Sequence, residues 1–293
     1  MRVTQQLLQN LVRQNTDRAA RAAVEASRPI DEGVGISRAS QDPIKATRLM
    51  GLRDIGQELD RFDRNRYLVK TDLGQAEEVL GSVHDLLVDA HDVALAMASD
   101  TVNAGDRDNA ARQIRAMVTQ ALGLANRKDA SGKHVFGGTA EDRAPYAADG
   151  AYQGNTSARM VEVGAGLRVE ATIVGPDVFG PSGEALGAMI ALATALEGND
   201  LAGIQRATTD LAEARRYVAD GRTEIGGRLA TLADLDDLAL SLRTHVEIER
   251  ATIEGVDIAA VAPAMASAQS ALEAVIASSK SLMQLVGRGF LGS

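Results

Sequence analysis

Residues 52–97 read LRDIGQELDRFDRNRYLVKTDLGQAEEVLGSVHDLLVDAHDVALAM, and this stretch decides the fold. Taken alternately three and four apart, its positions are Leu52, Ile55, Leu59, Phe62, Arg66, Val69, Leu73, Ala76, Leu80, Val83, Leu87, Ala90, Ala94 and Met97, with only Arg66 out of character. That spacing keeps every position on one stripe of an α-helix, so the stretch is a heptad seam. At the α-helical rise it predicts a rod of roughly 70 Å, far longer than an ordinary globular helix. The helix opens at Asp42-Pro43, with an acidic N-cap and proline at the first helical position, where its missing N–H costs nothing. Its expected end is near Asn103-Ala104-Gly105.

A second seam of matching length runs through the other half of the chain: Ile204, Ala207, Leu211, Ala214, Val218, Gly221, Ile225, Arg228, Leu232, Leu235, Ala239, Leu242, Val246, Glu249, Ile253 and Val256. Between them lies a shorter amphipathic stretch at Ile114, Val118, Ala121 and Ala125. Two long seams at opposite ends of one sequence must come back together to bury their apolar edges. The fold class is therefore mainly α, an elongated antiparallel helical bundle or coiled coil built from the N- and C-terminal halves, with a small β-rich insertion.

After Gly255-Val256-Asp257 the register breaks and restarts as Ile258, Val261, Met265, Ala268, Leu272, Val275, Ser279, Leu282 and Val286, a separate helix. Val3, Leu7, Leu8, Leu11, Val12 and alanines to Ala26 offer it a counterpart, cut off from the long rod by the stretch from Arg28-Pro29 to Gly35. Both terminal helices are alanine-rich, so their pairing buries little; they are expected to be loose in the free monomer and ordered against neighbours. Between the halves the period changes to two. Met160–Val163, the turn Gly164-Ala165-Gly166 and 167–173 read as a hairpin, and Ser182 as the N-cap of a short helix over 183–197. The expected domains are 1–30 with 258–293 (terminal helices, an inner coiled coil), 42–135 with 183–256 (helical rod) and 136–182 (outer, β-rich).

Composition narrows the function. A formal charge of −9 repels phosphate backbones, and the basic residues are scattered among acids, so nucleic acid is not an expected partner. With no cysteine there are no disulfides or thiolate metal sites, and with 3% aromatics there are few rings to stack a flat cofactor. No apolar run is long enough for a membrane span, and the opening Met1–Gln6 lacks the apolar stretch of a secretory signal. Export, if it occurs, is expected by a route that reads no cleavable peptide.

The motifs that suggest chemistry have plainer readings. Gly164-Ala165-Gly166 lacks the third glycine of a dinucleotide fingerprint and precedes strand-like alternation. Asp129-Ala130-Ser131-Gly132 reads as a helix-ending turn rather than a phosphate loop. His84-Asp85 and His91-Asp92, with Asp89 between, share one helix face and are the best candidate for a divalent metal, but they flank the seam where a solvated rim is expected. His134 and His245 read as ordinary surface or turn histidines, and the Asn155-Thr156-Ser157 sequon as a chance match. No nucleophile elbow or carboxylate pair stands out, so no catalytic residue, cofactor or metal is assigned.

Longer stretches carry a resemblance. Ser37–Ala46, the block Leu124–Thr139 (LANRKDASGKHVFGGT), Tyr152–Asn155, Ile225–Leu229 and Ala259–Leu272 resemble the flagellin superfamily, and within it are most similar to the hook-filament junction proteins. The resemblance implies terminal helices paired as an inner coiled coil, a helical rod outside it and an outward β domain. It also implies a structural subunit exported unfolded through the flagellar type III apparatus to the extracellular flagellum. The partners implied are a hook-associated protein at the hook tip, flagellin, an export chaperone and further copies in a ring, with neither nucleic acid nor membrane.

The alternatives are flagellin itself and, outside the family, a cytoplasmic coiled-coil scaffold. Flagellins usually carry an aspartate pair followed by Ala-Ala-Gly where this chain has Gln41-Asp42-Pro43. Assembly of the implied kind uses heterologous contacts, one patch meeting a different patch on the next subunit. Leu7, Leu11, Val261, Met265, Leu272, Val275 and Leu282 are the expected inner assembly contacts.

Overall fold

The computed structural model describes residues 2–32, 42–256 and 258–288, with side-chain positions at 10–31, 42–256, 258–259 and 261–281. In chain order the elements are α1 (Arg2–Glu32), α2 (Pro43–Met97), α3 (Ala104–Ala125), β1 (Met160–Gly164), β2 (Leu167–Glu170), α4 (Gly175–Phe179), α5 (Glu184–Glu197), α6 (Leu201–Glu254) and α7 (Ile258–Arg288). They form two compact units, a terminal one of 1–57 with 242–293 and a central one of 58–241.

The central unit holds the core. The α2 seam from Val69 to Ala94 and the α6 seam from Ile204 to Ile225 are fully buried, joined by Ile114, Val118 and Ala121 of α3 and Leu186, Met189 and Leu192 of α5. Opposed charges fix α2 antiparallel to α6: Lys70 pairs with Asp236, and Arg222 with Glu77 at 2.7 Å. Arg66, the one position of the α2 seam that is not apolar or small, is buried nonetheless. Its guanidinium donates to Val163 O at 2.9 Å and pairs with Asp236 and Asp63, so it ties the β1–β2 hairpin to both long helices. A charge is tolerated in a seam only with such partners.

The helix starts follow local chemistry. Asp42 Oδ1 accepts from Lys45 N at 3.0 Å, capping α2 as its sequence requires. Its end differs from expectation. Helix α2 stops at Met97, and Asn103 is instead the N-cap of α3, its Oδ1 accepting from Asp106 N at 2.8 Å. Arg107 closes that corner by donating to Met97 O, Ser99 O and Asn199 Oδ1, satisfying carbonyls that the end of α2 leaves open. Helix α5 is capped not by Ser182 but by Gly183, whose φ of 89° and close approach to Gly150 O exclude a side chain. Ser182 contributes only its N–H, which donates to Glu184 Oε2 at 2.9 Å.

The separation expected over Arg28-Pro29 to Gly35 starts later than Pro29, because α1 runs through it and ends at Glu32; Gly33–Gly35 lie outside the described residues. The restart at Ile258 is as the register demands, although Asp257 lies outside the described residues.

The hairpin forms where period two places it, with Met160 opposite Glu170 and an irregularity between Glu162 and Gly164. Its second strand is shorter than expected: Ala171 N donates to Arg159 O, and the chain then turns toward α4, a helix the sequence did not foresee. The rest of 126–159 is turns and isolated bridges rather than strand. An aromatic cluster packs this region, with Phe136 against Phe179 at 5.1 Å, Tyr146 against Phe179 at 5.2 Å and Tyr146 against Tyr152 at 5.3 Å. Burial pushes the Tyr152 phenol up to about 12.

Candidate functional site

The surface that the sequence singles out for assembly is carried by α1 and α7. In α7 the half-buried positions are Val261, Met265, Ala268, Leu272, Val275 and Ser279, the middle of the seam read from spacing; Ile258 is 67% exposed, and the side chains of Leu282 and Val286 lie outside the described positions. In α1 they include Val12, Thr16, Ala19, Ala23 and Ala26, at the same rhythm. The two helices approach within 8 Å between Cα atoms, a closeness that alanine-lined faces permit. Their seams therefore meet within one chain.

That meeting leaves much uncovered. No described side chain of α1 or α7 is fully buried, whereas the central unit buries dozens. Val261, Met265, Leu272 and Val275 lie half-covered on one face, and Leu11 remains 53% exposed. Leu7 and Leu282 fall within α1 and α7, but their side chains lie outside the described positions. Further exposed apolar side chains on these helices are Val24, Ile30, Ile258 and Ile276.

A second uncovered feature was legible only in part. Where α2 begins and α6 ends, inside the terminal unit, an apolar groove of about 820 Å³ opens between Ile44, Gly51 and Ile55 on one side and Leu242, His245 and Val246 on the other. Ile55 and Leu242 belong to the two seams read from sequence, yet each is 46% exposed. Spacing announces the stripe but not whether a third helix covers it. His245 is thus an exposed groove residue.

The candidates for chemistry resolve as structure. Among the described residues, no group of three or more histidine, cysteine or acidic side chains gathers to hold a metal. His91 Nδ1 lies 3.9 Å from Asp92 Oδ1, and His84 Nδ1 is buried without a partner. His134 is a buried turn residue, not a surface one, with Nδ1 2.8 Å from Asn126 O. The Asp129 turn forms, but after α3 has already ended at Ala125: Asp129 Oδ1 accepts from Ser131 N and Lys133 N. Asn155 is occupied too, its amide exchanging hydrogen bonds with Thr139 N and Thr139 Oγ1.

These contacts account for the block Leu124–Thr139. Asn126 clamps Tyr146 through both its backbone N and O, His134 binds back to Asn126, and Tyr152 lodges its hydroxyl 2.7 Å from Asn155 O. The motif also seats α4, through Gly175 N donating to Phe136 O and Phe136 packing on Phe179. Among the described residues no helix is long and apolar enough to cross a membrane.

Terminal helices that pair, halves that return antiparallel and a small hairpin in the middle are the architecture that the resemblance implies. Residues 3–141, a little under half of the chain, match the family described as the bacterial flagellin N-terminal helical region. The chain is similar to flagellar hook-associated protein 3 of Salmonella typhimurium, 25% identical over 267 residues that cover 83% of this chain and 84% of that one. Its fold is that of a putative flagellar hook-associated protein from Vibrio parahaemolyticus, with a TM-score of 0.68 at 24% identity, covering 73% of this chain and 100% of the other. FlgL of Bacillus cereus gives a TM-score of 0.62 at 17% identity, covering 69% of this chain and 99% of that structure. The resemblance to the flagellin superfamily, and within it to hook-associated protein 3, is the one read from the sequence.

Proposed function

We propose that this chain is a non-catalytic structural component of the bacterial flagellum, an adapter at the hook-filament junction that connects the hook-associated proteins to the flagellin filament. The observation that carries the reading is the half-covered seam of α1 and α7, regular in spacing from Val261 to Ser279 and incomplete in burial. Apolar area left open on paired helices is stabilised when a neighbour covers it. Likeness to hook-associated protein 3 over most of both chains supports the junction in preference to the filament itself.

The finer reading follows. The chain assembles outside the cell, in a ring of copies between a hook-associated protein at the hook tip and the first flagellin subunits, after export with a chaperone through the type III apparatus. Leu7, Leu11, Val261, Met265, Leu272, Val275 and Leu282 form its inner contacts. Residues 1–30 with 258–293 make the inner coiled coil, 42–135 with 183–256 the rod, and 136–182 the outer domain. Deleting the gene is expected to leave hooks in place while flagellin monomers escape into the medium. Loss of filaments without free flagellin would identify a filament subunit instead, and unchanged motility would favour a cytoplasmic scaffold.

A further inference from the structure

We propose that the groove between the start of α2 and the end of α6 receives helix α7 of a second copy of this chain. The proposal deepens the assembly reading and rests on it.

The groove is built to take a helix. Ile44, 84% exposed, together with Ile55 and Leu242, lines it with apolar side chains that no described residue covers. Gly51 stands in its wall, in the interior of a helix, with nothing within 4 Å of where a Cβ would be. A helical glycine lowers stability by roughly 1 kcal/mol against alanine. Here no described neighbour accounts for it, and a missing side chain allows another backbone to come close.

Charge identifies the occupant. The groove's two ionic side chains, Arg48 and Glu249, neutralise each other at 2.7 Å, so it favours an uncharged helix surface. From Ile258 to Ser281, α7 carries only Glu273 and Lys280, and Ala262, Gln269 and Ile276 form an exposed flank beside the seam shared with α1. The terminal unit as a whole holds 13 Lys and Arg against 11 Asp and Glu, leaving 18 and 29 to the central unit. Central units of two copies therefore repel strongly, while terminal units meet at almost no Coulombic cost.

Because the chain has no cysteine, cross-linking reads the contact directly. Two full-length single variants, Ile44→Cys and Ile276→Cys, are mixed at high concentration and oxidised, with Gly226→Cys replacing Ile44→Cys as the control. A disulfide-linked mixed dimer well above the control is expected. It should be lost when Gly51→Leu is added to the Ile44→Cys chain, which fills the groove without touching its own fold; an unchanged unfolding midpoint checks that fold. No mixed dimer, a mixed dimer that survives Gly51→Leu, or Ile44→Cys pairing only with itself would each overturn the assignment. The deletion phenotype is a separate readout. Flagellin release without the cross-link would leave the junction role standing and remove this contact from it.

Discussion

Gly221 of α6 lies so close to Val178 of α4 that a Cβ on the glycine would overlap Val178 Cγ1 and sit 3.0 Å from Val178 Cβ. The short helix thus seats itself in a notch of the long one. Gly221→Ala is expected to destabilise the chain by about 1–3 kcal/mol through overpacking, lowering the urea midpoint. Gly226→Ala, five positions along the same helix and facing open space, should instead add about 0.5–1 kcal/mol. Two glycine-to-alanine changes of the same sign would refute the notch.

Arg66 should be the costliest polar side chain of the central unit to lose. Arg66→Ala takes the donor from Val163 O and leaves Asp236 with Lys70 alone, at about 1–3 kcal/mol. Burial pushes the Asp236 carboxyl up, but hydrogen bonds from Lys70 and Arg66 outweigh it and hold the group below the usual carboxylate range. A lowered folded pKa stabilises above the unfolded value, near pH 4, and the benefit disappears as pH falls through the folded one. The urea-midpoint gap between wild type and Asp236→Asn should be open at pH 7 and close below about pH 4.

Asp177 behaves with the opposite sign. Its carboxyl is pushed up by burial, then by Glu224 and Glu170, with Arg228 opposing. A raised folded pKa means the ionised form is held at a penalty above that value and relieved by protonation below it. Asp177→Asn is therefore expected to raise the melting temperature at pH 7, and the difference should shrink toward acid pH. A variant less stable at pH 7 would show that the helix N-terminus values the charge more than burial penalises it.

What could be read from the sequence and what could not differ in kind. Leu73, Leu80 and Leu87 were legible because helical spacing is a one-dimensional pattern that any buried stripe must keep. Asn103 reads equally well as a helix stop or a helix start, and only Arg107 reaching back to Met97 O shows that two helices meet there. Gly183 caps α5 because Gly150 O occupies the space a side chain needs, a contact across the loop that no local pattern encodes. For the proposed assembly surface, the register of Val261, Met265, Leu272 and Val275 is plain, whereas their half-burial depends on how little the facing alanines of α1 cover.

Leu272→Asp separates folding from assembly. The residue is half-buried on the α7 seam, outside the central core, so circular dichroism should show the helical content and main melting transition retained. A charge on that face loses the roughly 1.5–3 kcal/mol of a buried leucine in every subunit, and the losses compound around an assembly. Expected in cells are non-motile hooks with flagellin in the medium. Normal swimming in this variant would remove the residue from the contacts.

Local stability should follow burial. The central unit's seam is sealed at Val69, Leu73, Leu80 and Leu87, while α1 and α7 bury no described side chain fully, the α1 side of the pair being mostly alanine. Opening such a pair exposes little new apolar surface, so its free energy lies far below that of global unfolding. Amides of 10–28 and 258–281 are therefore expected to exchange within the fastest class in dilute monomer, while those of 69–94 exchange only through global unfolding. On assembly the terminal set should slow, because a neighbour that covers the open face adds to the cost of opening. Slow exchange at the termini of the free chain would mean that the pair is stable on its own, and the driving force assigned to its exposed seam would have to lie elsewhere.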